Sequence, residues 1–272
     1  MIGIFDSGLG GLAVVKSIMD VLPKFQITYL GDTARLPYGN RSLEAVHSFT
    51  LQGVDFLFKE GCTLVILACN TASAEALRKI QQEYLPIHHP DKRVLGIIRP
   101  LVEEAARATK NNRIGIMATR GTVFSGAYVR ELYSQNPEIQ VFQNPSPLLI
   151  PLIEEGWMKR QETKKIIKYY LRPLTVKNID TLILGCTHFQ MIHSLIRGMV
   201  GNRCNVLNSG NIIAQSFVKY LERHTEIEKS LLRGKDHKFL VTDITQSFQD
   251  NANRYLGRSI HLEKIRLLDL RD

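Results

Sequence analysis

The 272-residue chain is poor in cysteine, has one tryptophan and contains no long apolar run. Its four cysteines, Cys62, Cys69, Cys186 and Cys204, include no C-x-x-C pair, which argues against a disulfide framework or a zinc ribbon. No apolar stretch approaches the roughly 18 residues needed to cross a bilayer, so no membrane partner is expected. The opening Met1-Ile2-Gly3-Ile4-Phe5-Asp6 lacks the basic segment of a secretory signal. The expectation is a cytoplasmic protein whose cysteines are thiols. Nor do aromatic and basic residues interleave as in RNA-binding sheets, and zinc-finger spacing is missing.

What is present is ordinary globular composition, with 44% hydrophobic and 22% charged residues, in a length that favours two domains. The charge is less ordinary: 35 Lys and Arg against 26 Asp and Glu leave a formal +9, which invites an anionic partner. Much of the excess lies in Lys159, Arg160, Lys164, Lys165, Lys168, Arg172 and Lys177, against Glu162 alone. With Ile166, Ile167 and Tyr170 between them, these residues read first as the solvated face of a helix. A nucleic-acid partner is not expected.

Short apolar runs alternate with longer amphipathic stretches. The runs are Ile2 to Phe5, Ile27 to Leu30, Leu64 to Ala68, Val94 to Ile98, Arg113 to Met117, Ile139 to Phe142, Thr181 to Leu184, Asn205 to Leu207 and Lys238 to Thr242. Their β-branched content without clean polar alternation predicts strands buried on both faces. Helices are predicted at Ser42 to Lys59, Ala72 to Tyr84, Leu101 to Thr109 and Gln161 to Leu171. This order predicts an α/β fold with mostly parallel sheets.

One segment recurs. Val65-Ile66-Leu67-Ala68-Cys69-Asn70-Thr71 is echoed by Leu182-Ile183-Leu184-Gly185-Cys186-Thr187-His188, 117 residues on. Each is a strand ending in a small residue, a cysteine and polar side chains that open a helix. Ligands of open parallel sheets bind outside the carboxyl ends of the strands, so the two cysteines are expected to face a shared cleft. A thiol at a helix N-terminus is also placed where backbone N–H groups favour a thiolate. Cys62 and Cys204 lack polar followers and read as small core residues.

Three chemistries use such cysteines. A metal site needs about four ligands, and Cys186-x-His188 has no companions nearby, so no metal is expected. A cysteine nucleophile with a histidine base needs one cysteine and leaves Cys69 unexplained. Proton transfer on opposite faces of one carbon uses both, as thiolate and thiol. Other strand ends fit the same cleft: Asp6 and Ser7 after the first strand, Asp32 after the second, and a turn at Arg35-Leu36-Pro37-Tyr38-Gly39-Asn40. A competing reading stays open here, since Gly8-x-Gly10-x-x-Ala13 with Asp32 about 20 residues on fits the dinucleotide fingerprint of an oxidoreductase. That reading has no use for the paired cysteines.

At Ile4-Phe5-Asp6-Ser7-Gly8-Leu9-Gly10-Gly11-Leu12, Gly31-Asp32-Thr33-Ala34-Arg35-Leu36-Pro37-Tyr38-Gly39, Ala68-Cys69-Asn70-Thr71-Ala72-Ser73-Ala74 and Leu184-Gly185-Cys186-Thr187-His188-Phe189 the chain resembles the glutamate racemases, within the aspartate/glutamate racemase family. Weaker matches run through Ala118 to Ser125, Pro151 to Gly156 and Val241 to Asp243. The resemblance implies cofactor-independent interconversion of L- and D-glutamate, supplying D-glutamate for bacterial peptidoglycan, with aspartate or another amino acid as the alternative substrate. It implies Cys69 and Cys186 as the two acid/base residues, Cys69 taking the proton from D-glutamate and Cys186 from L-glutamate. Substrate-binding positions fall on Asp6, Ser7, Tyr38, Gly39, Asn70, Thr71, Thr187 and His188, with Thr119 and Thr122 next. The implied fold is two pseudo-symmetric α/β domains, residues 1–93 with 210–272 and residues 94–209, with the active site in the cleft between them, in a homodimer. Departures from the family's pattern are Gln190 where proline is frequent, Asn144-Pro145-Ser146-Pro147, and Arg99 where glutamate is frequent.

Overall fold

The computed structural model describes residues 1–268. Among the described residues ten strands form two parallel sheets. The strands are β1 (Ile2–Asp6), β2 (Ile27–Gly31), β3 (Leu64–Leu67), β4 (Arg93–Gly96), β5 (Arg113–Ala118), β6 (Gln140–Pro145), β7 (Thr181–Gly185), β8 (Asn205–Val206), β9 (Lys238–Val241) and β10 (Glu263–Lys264). The larger sheet has the order β10-β9-β2-β1-β3-β4 and the smaller β6-β5-β7-β8. Every ladder in both is parallel.

Each apolar run becomes a strand because helices cover both faces of its sheet and leave no side of the strand for water. From β3 onward, Leu64, Ile66 and Ala68 enter one apolar cluster while Val65, Leu67 and Cys69 enter the opposite one. Leu182, Leu184 and Cys186 likewise share a cluster on one face of β7, and Ile183 belongs to the other face. Burying each such aliphatic side chain contributes about 1.5–3 kcal/mol. The period of two thus carries each cysteine onto a defined face at its strand end.

Nine strands appear where the apolar runs predict them. The tenth, Glu263–Lys264, has no apolar signal of its own. It forms because Glu263 and Lys264 pair with Leu240 and Val241 at the sheet edge. β4 pairs with β3, so the residues up to Gly96 belong to the larger sheet, which β9 and β10 rejoin from the far end of the chain. Ile213, Ala214, Phe217 and Leu221 of the helix Ser209–Arg223 share a cluster with Leu12, Val15 and Ile18 of the helix Gly11–Val21.

The helix Leu43–Lys59 starts where expected, with Ser42 Oγ accepting from the Ala45 N–H at 3.2 Å. The helix predicted from Ala72 to Tyr84 is instead broken: Asn70–Glu75 is followed by a short turn and a π-helical stretch, Ile80–Tyr84. Pro86 follows in the next turn, where it has no N–H for the carbonyl four residues back, and a widened turn accommodates it. The basic helix Gln161–Thr175 buries Thr163, Ile167, Tyr170, Leu171 and Leu174 and leaves Lys165, Lys168 and Arg172 exposed, a solvated face. Among the described residues no helix is long and apolar enough to cross a membrane.

Candidate active site

The carboxyl ends of β1, β3, β5 and β7 converge on one small cavity. Ser7, Tyr38, Gly39, Cys69, Asn70, Thr71, Thr119, Cys186, Thr187 and His188 all line it, with Leu36, Pro37 and Ile150 closing its apolar side. Both cysteines are buried free thiols. Cys62 and Cys204 are free thiols as well, held away from the cavity in apolar clusters, with burial pushing them to about 11 and about 12. Among the described residues no three His, Cys, Asp or Glu side chains come together so as to hold a metal ion.

Cys69 is the N-cap of the helix Asn70–Glu75, and its Sγ accepts the Ala72 N–H at 3.5 Å. Ser7 Oγ stands 3.7 Å from the same sulfur. Burial and the nearby Asp6 carboxylate push this thiol up to about 12, against the opposing pull of the Ala72 N–H and Ser7. Cys69 therefore rests as a proton donor. The helix N-terminus does not by itself make a thiolate, because desolvation outweighs one N–H.

Cys186 caps no N–H group. Its neighbour is His188, whose Nδ1 lies 3.9 Å from Sγ and whose Nε2 lies 3.0 Å from Glu154 Oε1. Burial opposes charge on this imidazole, yet Cys186 and Glu154 together raise it to about 10. His188 thus holds a proton at neutral pH, and a thiolate at Cys186 would meet a positive charge.

Asp6 does not line the cavity. It is fully buried below the loop that follows β1, where Oδ2 accepts the Gly8 and Gly11 N–H groups at 2.9 Å each and Oδ1 accepts from Thr187 Oγ1 at 3.4 Å. Burial raises its carboxyl above the ordinary value, with His188 and these donors opposing. Its place is behind Cys69, bracing the loop against the other half of the chain. Gly10 lies where a Cβ would come within 2.3 Å of Thr187 Oγ1, so only glycine permits this approach.

This geometry also decides the dinucleotide alternative. The glycine loop spends the Gly8 and Gly11 N–H groups on Asp6, leaving them unable to cradle a pyrophosphate. Asp32 is equally committed, accepting from Arg35 Nε, Tyr38 OH and Thr242 Oγ1. A ribose has no acceptor there.

The remaining polar groups form a donor surface. Thr71, Thr119 and Thr122 hydroxyls lie 3.0–3.3 Å from one another. Asn70 Oδ1 accepts from Tyr128 OH at 2.6 Å, which leaves its NH₂ to donate. Tyr38 donates its hydroxyl to Asp32, so its turn offers the cavity backbone rather than a phenol. Gly39 packs so tightly that a Cβ would sit 2.4 Å from Thr119.

A family model described as Asp/Glu/Hydantoin racemase matches residues 10–216. The chain belongs to this racemase family. It is 39% identical to the glutamate racemase of Neisseria gonorrhoeae over 269 residues, 99% of this chain and 96% of that one. Among solved structures, a glutamate racemase isoform from Bacillus anthracis superposes with a TM-score of 0.90 at 34% identity, covering 98% of this chain and 97% of the other. The glutamate racemase of Francisella tularensis, solved in complex with D-glutamate, superposes with a TM-score of 0.87 at 34% identity, with the same coverage. Membership of the racemase family makes the chain an isomerase.

Several residues in or behind this cavity carry no sequence signal of their own. Glu154, at the end of the helix Leu149–Glu154, reaches His188 although 34 residues separate them. It sits after an ordinary apolar run, and only the weak family match at Pro151 to Gly156 pointed near it. Tyr128 and Ile150 are likewise brought in by packing.

Proposed function

We propose that the protein racemises glutamate without a cofactor, by two-base proton transfer between Cys69 and Cys186, acting as a homodimer in the cytoplasm to supply D-glutamate for peptidoglycan. The single observation that carries this reading is that two thiols, one from each sheet, end corresponding strands on one shared cavity. An amino-acid α-proton is a very weak acid. Its removal requires donors to the α-carboxylate, an ammonium kept charged and exclusion of water. Ser7, Asn70, Thr71 and Thr187 supply the donors, and the burial of both sulfurs supplies the exclusion.

In the L-to-D direction, Cys186 as thiolate, beside protonated His188, takes the α-proton. Cys69, held as a thiol, gives its proton to the opposite face. The protonation states of the two cysteines are then exchanged, and D-glutamate is the substrate of the resulting form. The hydroxyl of Thr119 suits the side-chain carboxylate, and this contact selects glutamate over the shorter aspartate.

The test is incubation with L-glutamate, and separately L-aspartate, in deuterated water with no added cofactor, followed by optical rotation and α-proton NMR. The expected result is racemisation of glutamate with deuterium at Cα. Absence of both rotation loss and exchange overturns the reading, and faster exchange of aspartate overturns the choice of substrate.

A further inference from the structure

The turn that lines the cavity with Leu36, Pro37, Tyr38 and Gly39 is held from outside the active site by a strand that arrives more than 200 residues later in the chain. β9 pairs with β2 so that Gly31 stands opposite Val241, and the Thr242 N–H donates to the Gly31 carbonyl at 3.1 Å. Thr242 therefore lies alongside Asp32. Its hydroxyl donates to Asp32 Oδ1 at 2.9 Å and accepts the Ala34 N–H at 2.9 Å. Only a hydroxyl does both at once. The next residue repeats the tie: the Asp243 N–H donates to Thr33 Oγ1 at 2.8 Å, and Thr33 Oγ1 donates to the Asp243 carbonyl at 2.6 Å.

Asp32 passes the constraint on. Its carboxylate is fully buried, and its second oxygen accepts from Arg35 Nε at 2.7 Å and from the Tyr38 hydroxyl. Burial and the Asp32 carboxylate hold the Tyr38 hydroxyl well above the tyrosine range, so it remains a donor. The Tyr38 ring packs between Phe5 and Phe49, and the Arg35 guanidinium lies over Phe49 while Nη1 reaches Gln52 Oε1 at 2.6 Å. With its ring and its hydroxyl both held, Tyr38 fixes the backbone of Gly39 against Thr119.

We propose that Thr242 is a positioning residue for substrate binding: through Asp32 and Tyr38 it sets where the Tyr38–Gly39 backbone meets the substrate. Its effect on catalysis rests on the racemase reading; its effect on the turn does not. The Tyr38–Gly39 backbone would touch the part of the substrate that does not react. Loosening it weakens ground state and transition state alike, which raises KM and leaves kcat nearly unchanged.

The experiment compares Thr242→Val, which keeps shape and removes the hydroxyl, with Thr242→Ser, which keeps the hydroxyl. Thr28→Val in β2 serves as the control for plain destabilisation, since Thr28 is fully buried and its hydroxyl faces Met1 Sδ at 3.8 Å. Thr242→Val is expected to raise KM about tenfold with kcat within about twofold, as loss of a hydrogen bond to a buried carboxylate predicts. Thr242→Ser should restore KM, and Thr28→Val should not move it. Amide exchange, read by mass spectrometry over residues 32–40, should quicken in Thr242→Val alone. Tyr38→Phe severs the same chain at its other end, and it should reproduce both changes even if Thr242→Val does not accumulate as folded protein.

Unchanged KM and unchanged exchange in Thr242→Val, equal changes in Thr28→Val, or no change in Tyr38→Phe would overturn the proposal. A wild-type protein without racemase activity would overturn the functional reading instead, and the exchange measurement would still decide the role of Thr242.

Discussion

Cys69 and Cys186 end corresponding strands, yet their neighbours have little in common. Cys69 caps a helix, shares its space with a buried carboxylate and a serine, and is held as a thiol near 12. Cys186 caps nothing and stands beside an imidazole that Cys186 itself and Glu154 keep charged up to about 10. The backbone repeat supplies two equivalent positions. The side chains around them hold Cys69 as a thiol and set a charged imidazole beside Cys186. A two-base enzyme needs that difference, because identical surroundings would favour the same protonation state at both sulfurs.

The comparison breaks most visibly at the sulfurs. Cys69→Ala and Cys186→Ala are each expected to lower racemisation by about 10³-fold or more, measured by polarimetry against wild type. Full activity in either variant would exclude the paired mechanism.

His188→Asn removes the charge beside Cys186 and keeps a donor. It is expected to lower kcat/KM by about tenfold per pKa unit of lost support. L- and D-glutamate are equally stable, so kcat/KM must fall alike in both directions. The asymmetry should appear in the isotope effect, which grows for α-deuterated L-glutamate more than for the D-enantiomer. In wild type, kcat/KM should decline as pH rises through about 10, and the variant should lack that limb. The same raised pKa stabilises the fold fully below the ordinary imidazole value of 6.5 and is lost as pH climbs toward 10. The Tm advantage of wild type over the variant should shrink across that window.

Ser7→Ala tests the Cys69 side and should have the smallest effect. It removes one weak partner at 3.7 Å, and kcat/KM should fall by about two- to fivefold. The isotope effect should now grow for α-deuterated D-glutamate instead. A larger effect with the L-enantiomer would show that the two sides have been assigned in reverse.

Much of this was legible in the sequence. Apolar runs from Ile2 to Thr242 marked nine of ten strands, because a strand buried on both faces must be continuously apolar. The repeat around Cys69 and Cys186 was legible for the same reason. β10 escaped notice, since a Glu-Lys pair becomes a strand only when an edge is offered. The helix after Cys69 read as one element because Pro86 lies beyond it and widens the turns ahead of it. The sequence places Asp6 at the end of the first strand, but which groups its carboxylate meets depends on how the loop folds over it, and those are its own neighbours Gly8 and Gly11 with Thr187.

The sequence by itself determined the α/β class, the two thiols and their strand-end positions, because these depend on local periodicity and spacing. Tertiary structure decided that the Asp6 carboxylate stays buried near Cys69 and that the His188 ring turns toward the sulfur two residues before it. It also decided that Glu154 reaches His188, and that Thr242 holds a turn more than 200 residues away in the chain. Protonation and positioning depend on distance and desolvation, and those exist only after residues far apart in the chain have been packed together.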